Sequence, residues 1–225
     1  MYLASSVICL VVIAVVFGLR KFVFKPKKTY GTRKKLDAVV FSGPSGVGKG
    51  TIISKLRTEY PTNFALSISH TTRAPRAGEV DGRDYHFTTV AALEKMMDKG
   101  EFLECSMIHG NMYGTSKASL NAVCASGKVA IVEIDFQGVQ KLKKQQGNLN
   151  FYYIFFKADL TELEERIRGR GKESEEKVME RLETAKKELA FVDANPDFYD
   201  KVLHNKVLKE SYDTVVRMLK FYGAF

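Results

Sequence analysis

Ten consecutive residues, Ser42-Gly43-Pro44-Ser45-Gly46-Val47-Gly48-Lys49-Gly50-Thr51, combine four glycines with one lysine. Glycines at this density let successive backbone N–H groups turn inward onto phosphate oxygens. The lysine supplies a mobile positive charge for β- and γ-phosphates. The chemistry of such a loop is the holding of a nucleoside triphosphate. Loops of this kind usually carry Ser or Thr directly after the lysine to hold Mg²⁺. Here that place is Gly50, and the hydroxyl comes one residue later on Thr51. The metal is therefore expected to be held largely through water and the nucleotide phosphates, which suits Mg²⁺.

A second constellation follows in Ser67–Phe87, which is polar and holds Arg73 and Arg76 three residues apart across Pro75. Two planar guanidinium groups converging on one point can grip a phosphate monoester bidentately. Tyr85 can add a phenolic hydroxyl. Standing alone, the stretch would read rather as a solvated basic loop. Glu104 lies in the apolar run Phe102-Leu103-Glu104, where a carboxylate needs a reason to be buried. Glu133 and Asp135 end the run Ala130–Ile134, and acids at the carboxyl end of a buried parallel strand face the ligand crevice. Arg166-Ile167-Arg168-Gly169-Arg170-Gly171 opens a charged segment that by itself is a solvated helical face.

The elements that must position these groups are legible in outline. Leu36–Phe41 is a short β-branched apolar run, hence a strand, and the apolar Ile52, Ile53 and Leu56 after the loop predict a helix. Strand, glycine loop, lysine and helix form the context a phosphate-binding loop requires, with the helix start adding orphan N–H donors and a positive dipole end. Further strands are expected near Tyr85–Thr88 and over Ala130–Ile134. A helix is expected around Glu175–Glu183, the exposed end of another at Lys141–Gln146, and a closing amphipathic helix over Leu208–Phe221. This alternation predicts an α/β fold with a mainly parallel sheet flanked by helices.

In order and spacing, GPSGVGKGT, SHTTRAPRAGEVDGRDYHF, GEFLE, GNMYGTS, VEIDFQG and RIRGRG together resemble the guanylate kinase family. The resemblance runs from about Leu36 to the carboxyl terminus, and TTRAPRAGE and GNMYGT are its most specific parts. It implies a P-loop NTPase-type fold over residues 36–225, with a GMP-binding insertion at about 69–116 and a helical lid at about 166–190. It implies ATP and GMP as substrates, Mg²⁺ as cofactor, and transfer of the γ-phosphoryl group of ATP to GMP. Gly43, Ser45, Gly46, Val47, Gly48, Lys49, Gly50 and Thr51 would hold ATP, with Asn205 at the adenine. Arg73, Arg76, Tyr85 and Tyr113 would hold the GMP phosphate, with Glu79 and Asp135 also on the GMP side. Glu104 would read the guanine donors N1–H and N2–H₂, helped by the hydroxyls of Ser69 and Thr115. That assignment makes chemical sense, because adenine lacks the donor pair and would leave the carboxylate lone pairs unsatisfied. Arg170 and Arg181 match lid arginines that stabilise the transferring group beside Lys49 and Arg76, and Thr51 and Glu133 would order the metal through water.

Composition bounds the alternatives. The 225 residues are 45% hydrophobic and 27% charged, which excludes a disordered tail and a multi-span membrane protein. Cys9, Cys105 and Cys124 form no C-x-x-C pair, so neither a disulfide framework nor a zinc site is expected. The net charge of +9 is concentrated. Arg20, Lys21, Lys25, Lys27, Lys28, Arg33, Lys34 and Lys35 fall within residues 20–35 with no acid among them. The remainder is nearly neutral, so no nucleic-acid-binding face is expected. Residues 1–19 carry no charge, and as a helix they would span about 28 Å, close to the hydrocarbon core of a bilayer. The basic stretch follows this run instead of preceding it, and Phe17-Gly18-Leu19 is a poor cleavage site. The expectation is one amino-terminal membrane anchor, a basic juxtamembrane linker at 20–35, and a cytosol-facing monomeric catalytic domain. A cleaved signal peptide, a targeting presequence, and a processed soluble form are the competing readings. For function, the rivals are a scaffold-type domain without phosphotransfer and a kinase of another small phosphate acceptor. The intact loop with Lys49, and Glu104, argue against them respectively.

Overall fold

A computed structural model describes residues 35–108, 110–145, 147–169 and 174–225. The expected anchor and most of the basic linker, together with His109 and Arg170, lie outside the described residues. In chain order the elements are β1 (Ala38–Ser42), α1 (Lys49–Glu59), β2 (Phe64–Leu66), β3 (His70–Thr71), β4 (His86–Phe87), α2 (Val90–Asp98), β5 (Phe102–Ile108) and β6 (Asn111–Ser116). There follow α3 (Lys117–Ala125), β7 (Val129–Glu133), α4 (Phe136–Gln145), β8 (Phe151–Lys157), α5 (Leu160–Arg168), α6 (Glu175–Ala194), β9 (Lys201–His204) and α7 (Leu208–Phe221).

Five strands form a wholly parallel sheet in the order β2-β7-β1-β8-β9. Its central strands are apolar on both faces, as they must be when helices cover both. Alternation along each strand sorts the side chains into two cores. Val39 and Phe41 of β1 join Tyr152, Ile154 and Phe156 of β8 against α1, α5, α6 and α7. Ala38 and Val40 join Phe151, Tyr153 and Phe155 against α3 and α4. Phe41 and Phe156 stack at 5.6 Å between centroids. The register pairs Phe41 with Glu133 and Ser42 with Phe155, so the carboxyl ends of β1 and β7 open together at one edge. The phosphate loop leaves from that edge, where ligands bind in sheets of this kind.

A second, four-stranded sheet runs β4-β3-β6-β5, with β3–β6 and β5–β6 antiparallel. The ladder between β5 and β6 slips by one residue between Phe102 and Glu104. A regular strand would turn alternate residues to opposite faces. The slip allows Phe102, Leu103 and Glu104 all to be buried in succession, and it aims the Glu104 side chain inward. No helix among the described residues is long and apolar enough to cross a membrane.

Candidate functional site

The phosphate loop connects the end of β1 to α1. Gly43 at its start has φ +136°, and a Cβ there would lie 2.2 Å from the backbone carbonyl oxygen of Phe156 on β8. Only glycine lets the loop press this closely on the sheet. At its end α1 begins with no side-chain cap, so its first N–H groups are left for an anion. Lys49 Nζ donates to the carbonyl oxygens of Gly43 and Pro44 at 2.5 and 3.1 Å, a resting position folded over the loop. Val47 is fully buried and its carbonyl accepts from Asn205 Nδ2 at 2.7 Å. Asn205 is thus packed under the loop, 3% exposed, with Oδ1 buried and without a hydrogen-bond partner among the described residues. Arg166 on α5 donates to the Asn205 carbonyl at 3.1 Å. From α6, Arg181 donates to Ser45 Oγ at 3.0 Å, bringing one of the two expected lid arginines onto the loop.

α5 continues through Arg168, with Ile167 buried in the core, so the expected lid stretch begins within a packed helix. Arg168 then pairs with Glu164 and, across the α5–α6 connection, with Glu175. Thr51, on the first turn of α1, is exposed, as is Glu133 at the end of β7.

On the second sheet, Glu104 is 4% exposed. Its Oε1 accepts from the backbone N–H and the hydroxyl of its cross-strand neighbour Thr115, at 2.8 and 2.7 Å. Burial, with the nearby Asp135 charge, pushes its carboxyl up to about 7 despite those bonds. Asp135 is also raised, chiefly by burial, and its Oδ1 accepts from Gly138 N at 2.8 Å. A Cβ on Gly138 would come within 2.9 Å of Glu104 Oε2 and 3.1 Å of Asp135 Oδ1. The start of α4 therefore brings the two acids around one glycine. Ser69 is half-buried beside β3, and its carbonyl accepts from His86 N at 2.9 Å.

The basic loop is organised by Glu79. Its carboxylate takes both terminal nitrogens of Arg73, at 2.9 and 3.0 Å, and the backbone N–H of Arg76 at 2.7 Å. The Arg73 bonds hold the Glu79 carboxyl below the usual range. Arg73 lies over the Tyr85 ring at 5.3 Å, and Tyr85 meets Tyr113 edge-on at 6.0 Å. Burial, with the charge of Glu133 next, raises the Tyr85 phenol to about 12. Arg76 is exposed. The geometry thus gathers Arg73, Glu79, Tyr85 and Tyr113 into one cluster and places Glu104, Thr115 and Asp135 in another.

Oxygen-rich acids at the loop edge fit a hard cation such as Mg²⁺. Among the described residues, the three possible ligand side chains close enough to enclose an ion are Asp159, Glu162 and His204, away from Glu133 and Asp135. Sequence reasoning missed Glu188, a buried acid on α6 whose charge Lys49 and Asp135 both act on. Its signal was present, since it falls on the same helical stripe as Val178, Leu182, Ala185 and Val192.

The family model for guanylate kinase matches residues 35–222. The chain is 42% identical to guanylate kinase 1 of Oryza sativa subsp. japonica over 80% of its own length and 47% of the relative's. It is 41% identical to the guanylate kinase of Sus scrofa over 77% of its own length and 87% of the relative's. It spans about half the length of the plant relatives it matches. The crystal structure of guanylate kinase from Anaplasma phagocytophilum superposes with a TM-score of 0.62 at 26% identity, covering 84% of this chain and 86% of that one. With a glycine loop at the edge of a parallel sheet, an arginine–tyrosine cluster, a buried acid on the second sheet and a family match over residues 35–222, the chain belongs to the guanylate kinase family.

Proposed function

We propose that the protein transfers the γ-phosphoryl group of ATP to GMP, giving ADP and GDP. An oxygen of the GMP phosphate attacks the γ-phosphorus, the bond from that phosphorus to the β,γ-bridging oxygen breaks, and ADP leaves with the electron pair. No covalent enzyme intermediate is needed. The observation that carries the reading is the pairing of Lys49 on an uncapped helix start with a buried, hydrogen-bonded Glu104. The first suits a triphosphate and the second suits a base edge bearing two donors.

In this reading the loop from Gly43 to Thr51 cradles the ATP phosphates, and Lys49 leaves its carbonyl partners to follow the β- and γ-phosphates. Asn205 supports the loop from below at Val47. Arg181 and Arg170, with Arg76, meet the charge that builds on the phosphoryl oxygens in the transition state. Arg73, Tyr85 and Tyr113 hold the GMP phosphate, and Glu79 orients Arg73 for it. Glu104 accepts from guanine, with Thr115, Ser69 and Asp135 around it. Mg²⁺, when bound, neutralises phosphate charge, and Thr51 and Glu133 would hold its water. Residues 69–116 form the GMP side and 166–190 the lid. Residues 1–19 would anchor the domain to a membrane with the catalytic part facing the cytosol.

The deciding assay is coupled ADP release with GMP, AMP, UMP and dTMP offered separately. Turnover with GMP far above the others is expected. Equal ATP consumption with all four, or none with GMP, overturns the reading.

A further inference from the structure

Glu188 of α6 is 3% exposed, and its Oε2 has no hydrogen-bond partner among the described residues. It stands two turns beyond Arg181, on the same helix face, and Arg181 reaches Ser45 in the phosphate loop. Three titratable groups from the elements around it lie near enough to act on its charge: Lys49 at the start of α1, Asp135 after β7, and Tyr199 in the segment after α6. Tyr199 donates in turn to Ser42 Oγ at 3.3 Å, at the fully buried last residue of β1. The carboxyl is therefore buried within electrostatic reach of Lys49, the residue that opens α1 at the end of the phosphate loop.

An unpaired carboxylate in such a place is costly. It can escape the cost by pairing with Lys49 or by holding a proton. Lys49 is engaged elsewhere, on the carbonyls of Gly43 and Pro44. Burial raises the Glu188 carboxyl to about 7, with Lys49 pulling it down and Asp135 pushing it further up.

We propose that Glu188 is a positioning residue for ATP: neutral, it leaves the Lys49 ammonium to the phosphates, and ionised, it competes with the triphosphate for that ammonium. The proposal rests on the reading of the loop as the ATP site. A like charge near the phosphates, partly screened, corresponds to about a three- to tenfold loss of ATP affinity.

The test is calorimetric titration of the full chain with Mg²⁺ and ATP, without GMP, at about pH 6 and about pH 8.5. Wild type and Glu188→Gln are compared, so that titration of the ligand itself cancels. Wild type is expected to weaken about three- to tenfold more than the variant as pH rises. Parallel pH dependence in the two proteins overturns the proposal, and so does an equal loss in the variant at both pH values. No ATP binding by either protein overturns it together with the function it rests on, a result distinct from both.

Thermal melts without ligand give a second readout. A carboxyl raised in the folded state favours folding at low pH and loses that contribution as pH rises through its folded value. Wild type should therefore fall in melting temperature relative to Glu188→Gln between about pH 5 and about pH 8. Identical trends overturn the proposal.

Discussion

Glu104 and Lys49 illustrate opposite ways of placing a charge. Lys49 rests on carbonyls and is free to follow a ligand, whereas Glu104 is buried, held at Oε1 by Thr115 and short of its ordinary acidity. On the proposed reading Glu104 accepts from guanine only when ionised, so bound GMP would favour the charged form. With the carboxyl raised to about 7, the KM for GMP is expected to fall as pH climbs from about 6 to about 8, measured by initial rates at saturating ATP. Glu104→Gln presents an amide N–H₂ where an acceptor is wanted. It should raise KM for GMP by about 10²-fold or more and leave KM for ATP within about threefold. A variant that kept its preference for GMP over AMP would oppose the assignment. On the proposed mechanism Lys49→Met removes a charge that acts most in the transition state, and it should lower kcat by about 10²-fold or more, in the same assay. The loop with Lys49 was readable because its residues are contiguous and their spacing is itself the chemistry. Glu104 was readable as an odd acid in an apolar run, and its specificity came only from resemblance to a family.

At the scale of elements, the site depends on close approaches that only small residues permit. Gly138 lets the start of α4 sit against Glu104 and Asp135. Glycine 138 to alanine, Gly138→Ala, adds a methyl 2.9 Å from Glu104 Oε2, which must then move. The expected result is a KM for GMP raised about tenfold, with KM for ATP little changed, and steady-state kinetics varying each substrate will check it. Gly43→Ala meets a backbone carbonyl, which cannot step aside, and adds strain at φ +136°. It should cost about 2–4 kcal/mol in denaturant unfolding as well as ATP binding. The slip between Phe102 and Glu104, which turns the carboxylate inward, was not legible. A bulge is decided by how two strands meet, and one strand's pattern does not record it. The second sheet was likewise only implied by resemblance, because two of its strands are two residues long and carry no period.

At the scale of the whole molecule, the buried acids set a common pH trend. Glu104 and Glu188 both have carboxyls raised in the folded state. Each contributes stability that is full below the unfolded value near ~4.3 and is lost as pH rises through about 7. The unliganded protein should therefore lose melting temperature from about pH 5 to about pH 8, and scanning calorimetry will show it. If GMP binds the ionised Glu104 as proposed, it should restore more at the upper end than at the lower. The charge of the chain is also divided at this scale, with its basic excess gathered in residues 20–35 beside an uncharged start. Removing residues 1–34 should leave GMP-dependent ADP release within about twofold and shift the protein from the membrane pellet to the supernatant. Retention of the shortened chain on membranes would oppose the anchor.

By itself the sequence determined the α/β alternation, the phosphate loop and its missing hydroxyl at Gly50, and the separation of charge from the folded part. Each of these is written in neighbouring residues, where backbone geometry and side-chain spacing act locally. The tertiary structure alone decided that Glu79 holds Arg73, that Asn205 braces Val47, that Gly138 joins two acids, and that Glu188 is buried within reach of the Lys49 charge. Those pairs bring together residues that lie on separate turns, strands or helices, in three cases far apart along the chain. They exist because burial forces polar groups to find partners or protons, and which ones they meet is fixed only when the sheets and helices pack.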